Sequence, residues 1–154
     1  MEHRSFSTRL EFEEQIRRCL ARASERLDLF DTDFSLWQLD TLDDELRRFL
    51  TGKGQIRMLA RDYNDLKQHC PRFLRLLRDF SHAIECRIIH PGERHLSDSF
   101  CIADGRHLVR RFHCDHPRGE AVFDAHANAS ICSERFNEIW RLSTATINIG
   151  VTGL

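Results

Sequence analysis

The chain has 154 residues, 23 lysines and arginines against 24 acids, a formal charge of -1, and 41% hydrophobic residues. A chain of that length buries about 70% of its unfolded surface in one domain; its apolar fraction excludes a disordered polymer, and its near-zero charge excludes a dedicated nucleic-acid coat. Its six cysteines form no C-x-x-C pair, which suits free thiols, and no run approaches the ~18 apolar residues of a membrane span, so a cytoplasmic protein without leader or anchor is expected.

Thr8 and Glu11 stand at capping-box spacing before Phe12, Ile16, Cys19, Leu20, Ala23 and Leu27, which recur on one helical face. The opposite face, Glu13, Glu14, Arg17, Arg18 and Arg22, alternates acid and base as a solvated surface does. Leu27 to Asp31 reads as a strand that ends in the acidic turn Asp31-Thr32-Asp33, where aspartates are expected to bond their own backbone rather than a ligand. Asp40 or Thr41 is the expected cap of a second helix, with Leu42, Leu46, Phe49 and Leu50 as its buried stripe. Gly52-Lys53-Gly54 ends it as a C-cap, since the full G-x-x-x-x-G-K-[ST] phosphate loop is absent.

Gln55 to Arg61 reads as the second strand and Asp62 to Asp65 as a turn. A helical segment opening at Leu66 must restart at Pro71, which has no N–H to donate, and then runs through Phe73, Leu74, Leu77 and Phe80. Arg72, Arg75 and Arg78 on it lack interleaved aromatics, so they read as a solvated face and not as a nucleic-acid stripe. Ile84 to Ile89 is the third strand, delivering His90 before the Pro91-Gly92 turn. Phe100 and Ile102 alternate with Cys101 and Ala103 in the fourth, Asp104-Gly105 is a hairpin turn, and His107 to Phe112 is its partner strand.

His113 to Glu120 is expected to be irregular, followed by the apolar Ala121-Val122-Phe123 and a polar run from Asp124 to Ser130. A closing helix carries Ile131, Cys132, Phe136, Ile139 and Trp140, and Ile147 to Leu154 is an added strand or a tail. His107, His113, Cys114, His116, His126 and Cys132 are suitable zinc ligands, but paired ligand spacing is missing, so a histidine-rich surface loop is expected, with no metal and no cofactor.

Ser97-x-Ser99-x-x-x-x-Asp104-Gly105 resembles the His-x-Lys-x-x-x-x-Asp-Gly signature of phospholipase D-like phosphodiesterases and nucleases, with Ser97 at the histidine position and Ser99 at the lysine position. The order of elements resembles one half of that fold, closed by the Phe136-x-x-x-Trp140 helix, over residues 8 to 145 of a single 1–154 domain. The chain is also similar to a family of small bacterial domains of this fold, sometimes fused to acyltransferases. The resemblance implies an α/β architecture: a mixed sheet flanked by helices on both faces, with a C-terminal hairpin and closing helix.

In active relatives the histidine attacks phosphorus, the lysine neutralises a phosphate oxygen, and two motifs meet across a twofold axis. Serine supplies neither function, and losing such a nucleophile costs on the order of 10⁴ to 10⁶ in rate. The glycine-serine pair that follows the hairpin in active members is also missing, since Arg110 to Phe112 stand there. The resemblance therefore implies a non-catalytic binding or interaction domain, either a homodimer or docked on a partner such as an acyltransferase. Ser97, Ser99, Asp104, Arg61, His90 and Asn128 are the polar groups expected to hold a phosphate-containing ligand weakly, Arg61 because it leaves a strand end where open α/β sheets bind ligands. Nucleic acid is not expected. His95, one same-face step before Ser97, and His90 stand as substitute nucleophiles for the alternative of a residual phosphodiesterase or nuclease, and a zinc-binding module is the other alternative.

Overall fold

Thr8 accepts the Glu11 amide at 3.1 Å and donates to the Glu11 carboxylate at 2.9 Å, so the capping box starts α1 (Arg9–Arg22) where the sequence places it. The computed structural model describes residues 1–32, 34, 35, 37, 39–93 and 96–143. Among these, the remaining α-helices are α2 (Asp43–Thr51), α3 (Tyr63–His69), α4 (Pro71–Asp79) and α5 (His126–Leu142). Pro71 takes the first turn of α4, as expected.

Two capping expectations need correction. Leu42 precedes α2 with no side-chain cap, and Asp40 accepts instead from the amides of Arg72 and Phe73 at 2.9 and 3.1 Å, capping α4 across the fold. The residues Asp62 to Asp65, read as a turn, begin α3, because the Asp62 carboxylate accepts the Asp65 amide at 2.9 Å. At the end of α2 the left-handed residue is Lys53, with φ of 71°. A Cβ on Gly54 would lie 2.3 Å from the Phe49 ring, so that glycine makes room for close approach.

The strands are β1 (Glu2–Phe6), β2 (Arg26–Phe30), β3 (Gln55–Ala60), β4 (Ile84–Ile88), β5 (Ser99–Ala103), β6 (His107–His113) and β7 (His116–Phe123). They make one mixed sheet in the order β1-β7-β6-β5-β2-β3-β4. The β2–β3 and β3–β4 pairs are parallel, and the others antiparallel. Asp104 and Gly105 turn β5 into β6 with φ of 55° and 68°, the mirror-image turn that matches strand twist.

The stretch from His113 to Glu120 is ordered, contrary to expectation: it is the tip of a second hairpin and most of β7. Pro117 falls in the irregular part of the ladder, between the Arg111↔Gly119 and His113↔His116 pairs, where a residue with no N–H is tolerated. β1 was not expected at all, since Phe6 alone of its five residues is buried and no alternation marks it. α5 begins at His126, inside the run read as polar, and Ile131 is 70% exposed rather than part of the stripe. Ala129, Cys132, Phe136, Ile139 and Trp140 form the buried side. The Ile147 to Leu154 expectation lies outside the described residues.

Alternation along β5 builds two cores. Cys101 and Ala103 join Leu29, Met58, Val109 and Phe123 against Phe12 and Ile16 of α1, on the face that also carries buried residues of α2, α3 and α4. Phe100 and Ile102 join Phe30, Leu59 and Leu108 against Phe136 and Trp140 of α5. Helices thus cover both faces of the sheet. All six cysteines are free thiols, and among the described residues no helix is long and apolar enough to cross a membrane.

Candidate functional site

Because β2, β3 and β4 run parallel while β5 runs against β2, the sheet gathers at one edge the residues after β2, β3 and β4, the start of β5 and the end of β6. Asp31, Arg61, His90, Ser97, Ser99 and Arg111 all fall at this edge. Ser99 and Arg111 are register partners, and both are fully buried on the α1 side.

Arg111 fills the space beside Ser99. Its Nε donates to Ser99 Oγ at 3.1 Å, Nη2 to Asp31 Oδ1 at 3.0 Å, and Nη1 to the Cys114 carbonyl at 3.1 Å. Its guanidinium carbon lies 5.6 Å from the Phe12 ring centroid. Asp31, also fully buried, accepts the Phe34 amide at 3.0 Å through its other oxygen. A charge out of reach of water must be paired and hydrogen-bonded, and this set of partners does so. Ser97 is half-buried, and its carbonyl accepts the Cys114 amide at 2.6 Å.

The other candidates separate. Arg61 is bidentate to Asp65 at 3.1 and 3.2 Å. His90 is exposed, and its Nδ1 accepts the Gly92 amide at 3.0 Å. His95 lies outside the described residues. Asp104 sits at the far end of β5, about 17 Å from Ser99 at the rise of an extended strand. There it accepts the amides of Ser24, Glu25 and Arg26 at 3.0, 2.8 and 2.9 Å, stitching the hairpin to the α1–β2 connection. Burial pushes its carboxyl up, but the amides of Arg26, Glu25 and Ser24 hold it below the usual carboxylate range. Asn128 is on α5, across the sheet, in an open groove with Leu108, Arg110, Glu120 and Arg135. The resemblance had grouped residues that the topology assigns to three places.

Sequence reasoning missed a second charge cluster, on the α5 side. Asp98 receives Nη1 of Arg135 at 2.7 Å, a second bond from Nη2 of the same residue, and Nε of Arg110 at 3.3 Å. Burial pushes the Asp98 carboxyl up, yet the two guanidiniums hold it below its ordinary value. Nearby, Arg57 is bidentate to the buried Asp28 at 2.8 and 3.1 Å and lies 4.9 Å from the Phe136 ring centroid. The available signal was an arginine inside a strand, as Arg57 is in β3 and Arg111 in β6, since such a residue needs an acidic partner. The histidines scatter too. His107 is buried at the far end of β6, its Nδ1 accepting the Asp124 amide at 3.1 Å.

A family model described as a domain of unknown function (DUF7931) matches residues 8–149. No curated protein matches the sequence. Among solved structures, TrmBL2, an archaeal chromatin protein described as showing a novel mode of DNA binding, aligns with a TM-score of 0.72 at 12% identity over 95% of this chain and 54% of its own. The chain thus spans about half the length of that protein. Nuc from Salmonella typhimurium, a phospholipase D family member, aligns with a TM-score of 0.70 at 8% identity over 96% of this chain and 99% of its own. NucT from Helicobacter pylori aligns with a TM-score of 0.67 at 8% identity, covering 94% and 99%. At such identities the likeness establishes the fold, which is phospholipase D-like.

Proposed function

The chain belongs to the DUF7931 family, and from that membership and its phospholipase D-like fold we propose that it is a non-catalytic binding or interaction domain. The edge beside the half-buried Ser97 recognises a phosphate-containing ligand weakly or meets another protein surface, and turns over no phosphodiester. The observation that carries this is the Arg111 guanidinium against Ser99, with Asp31 as its counter-ion, all three fully buried. Phosphoryl transfer needs a nucleophile and a cation still able to meet developing charge. Ser97 stays neutral at pH 7, and Arg111 is fully buried, with its charge matched by Asp31 and three of its five N–H donors held by Ser99, Asp31 and the Cys114 carbonyl.

One motif per chain supports a homodimer with these edges facing, or docking onto a partner such as an acyltransferase. The near-zero net charge argues against nucleic acid as the ligand, although TrmBL2 is described as binding DNA. The purified chain is expected to release no nitrophenolate from bis-p-nitrophenyl phosphate, to leave DNA uncut and to show no salt-sensitive DNA retention. Turnover that disappears in His95→Ala or His90→Ala would overturn the proposal in favour of a residual phosphodiesterase.

A further inference from the structure

The tip of the β6–β7 hairpin carries four metal-capable side chains in succession, His113-Cys114-Asp115-His116. In a loop such a run has no ligand spacing. In a hairpin it acquires one, because the register sets His113 directly opposite His116. Residues so opposed hold their Cβ atoms about 4.5–5.5 Å apart on one face, and the two ring centroids are 6.4 Å apart. Between them the turn supplies Cys114 and Asp115, and ligand atoms of His113, Cys114 and Asp115 all lie within 4.8 Å of one another.

The turn is also held in place. The Cys114 amide donates to the Ser97 carbonyl at 2.6 Å, and the Cys114 carbonyl accepts from the buried Arg111 at 3.1 Å. Only its side chains remain to be arranged. An open cavity of about 340 Å³, lined by Ser7, Phe112, His113, His116, Pro117 and Arg118, borders the two histidines. A Cys114 thiolate and the Asp115 carboxylate bring two negative charges, enough to offset the Arg118 guanidinium.

We propose that this hairpin tip is a site for a borderline-soft divalent transition metal, with zinc as its ion and His113, Cys114, Asp115 and His116 as its ligands. Two imidazoles, a thiolate and a carboxylate suit zinc in a tetrahedral site and are wrong for magnesium or calcium, which prefer all-oxygen shells. Binding releases the Cys114 proton to solvent, and the His113 Nδ1 contact with the Asp115 amide, 3.1 Å long, is free to exchange for the ion. The inference goes beyond the binding-domain reading and does not rest on it.

The test uses the tag-free full chain, stripped with chelator and titrated with Zn²⁺ in equilibrium dialysis and with Co²⁺ by absorption. One ion per chain is expected, with a thiolate-to-cobalt charge-transfer band. Cys114→Ser should abolish the band, His113→Ala and His116→Ala should each weaken Zn²⁺ binding tenfold or more, and Cys132→Ser should change neither. His113 and His116 are exposed and Cys114 is half-buried, so unchanged circular dichroism of these three variants separates lost ligands from lost folding. Absence of a thiolate band, or Zn²⁺ binding that survives Cys114→Ser and both histidine substitutions, overturns the proposal.

Discussion

Arg111→Met is the sharpest perturbation of the buried edge. It removes a guanidinium that is 0% exposed and strips Asp31, also 0% exposed, of its counter-charge. Removing one partner of a buried ion pair costs about 3–5 kcal/mol, because the other charge is left uncompensated in a medium that solvates it poorly. Domains of this kind stand about 5–15 kcal/mol above unfolding, so the variant should fold with little margin. At about 2–4 °C per kcal/mol its Tm should fall by about 6–20 °C. Urea unfolding followed by the fluorescence of Trp37 and Trp140 measures the change directly. Arg111→Met combined with Asp31→Leu should be more stable than Arg111→Met alone, since replacing a whole buried pair with apolar groups is often neutral. A loss under about 1 kcal/mol in the single variant, or a double variant no better than the sum of its parts, would refute the reasoning.

Asp104→Ala should cost about 1–3 kcal/mol, because it removes the charge-assisted hydrogen bonds to the exposed amides of Ser24, Glu25 and Arg26, with no change in Zn²⁺ binding at the other end of the sheet; a neutral urea midpoint would count against the stitching role. Burial lowers the His107 pKa from its ordinary 6.5. Below about 6.5 the unfolded chain therefore takes up a proton that the folded one resists, and stability should fall as pH drops toward the folded value. His107→Gln should flatten that part of the urea-midpoint profile. The guanidiniums of Arg135 and Arg110 leave the folded pKa of Asp98 below the unfolded value of about 3.9, so the stability it contributes is present above that pH and is lost as pH falls through the folded value. Asp98→Asn should remove this acid-sensitive portion, and an unchanged profile would sink the assignment.

What could be read from the sequence was local chemistry. Thr8 with Glu11 and Asp104-Gly105 set boundaries through local bonds and turn geometry, and Pro71 through its missing N–H and fixed φ, and each boundary is where the residues imply. The α/β class was legible because strand and helix periods alternate along the chain, and the phospholipase D-like topology through the resemblance carried by Ser97 to Gly105 and the order of elements. β1 was hidden because its identity depends on pairing with β7, from Glu2↔Phe123 to Phe6↔Gly119, and on nothing within its own five residues. β7 was hidden by Pro117 and Gly119, which ordinarily punctuate strands; Gly119 is required because a Cβ there would lie 1.9 Å from the Arg110 carbonyl. The site was legible in part. Ser97 and Ser99 mark the edge by spacing, but that Arg111 fills it follows from the β5–β6 register, which pairs Ser99 with Arg111. Asp104 and Asn128 were grouped with the serines by the resemblance to a signature and its cleft, whereas Asp104 caps the opposite end of β5 and Asn128 lies on α5.

The most direct measurement is covalent trapping. The full chain is incubated with excess bis-p-nitrophenyl phosphate, quenched in base, where phosphohistidine survives, and weighed intact by mass spectrometry. If the proposed non-catalytic reading holds, the edge where Arg111 is held between Ser99 and Asp31 should leave the mass unchanged at every time point. A phosphoryl adduct mapped to His90 or His95 would contradict it.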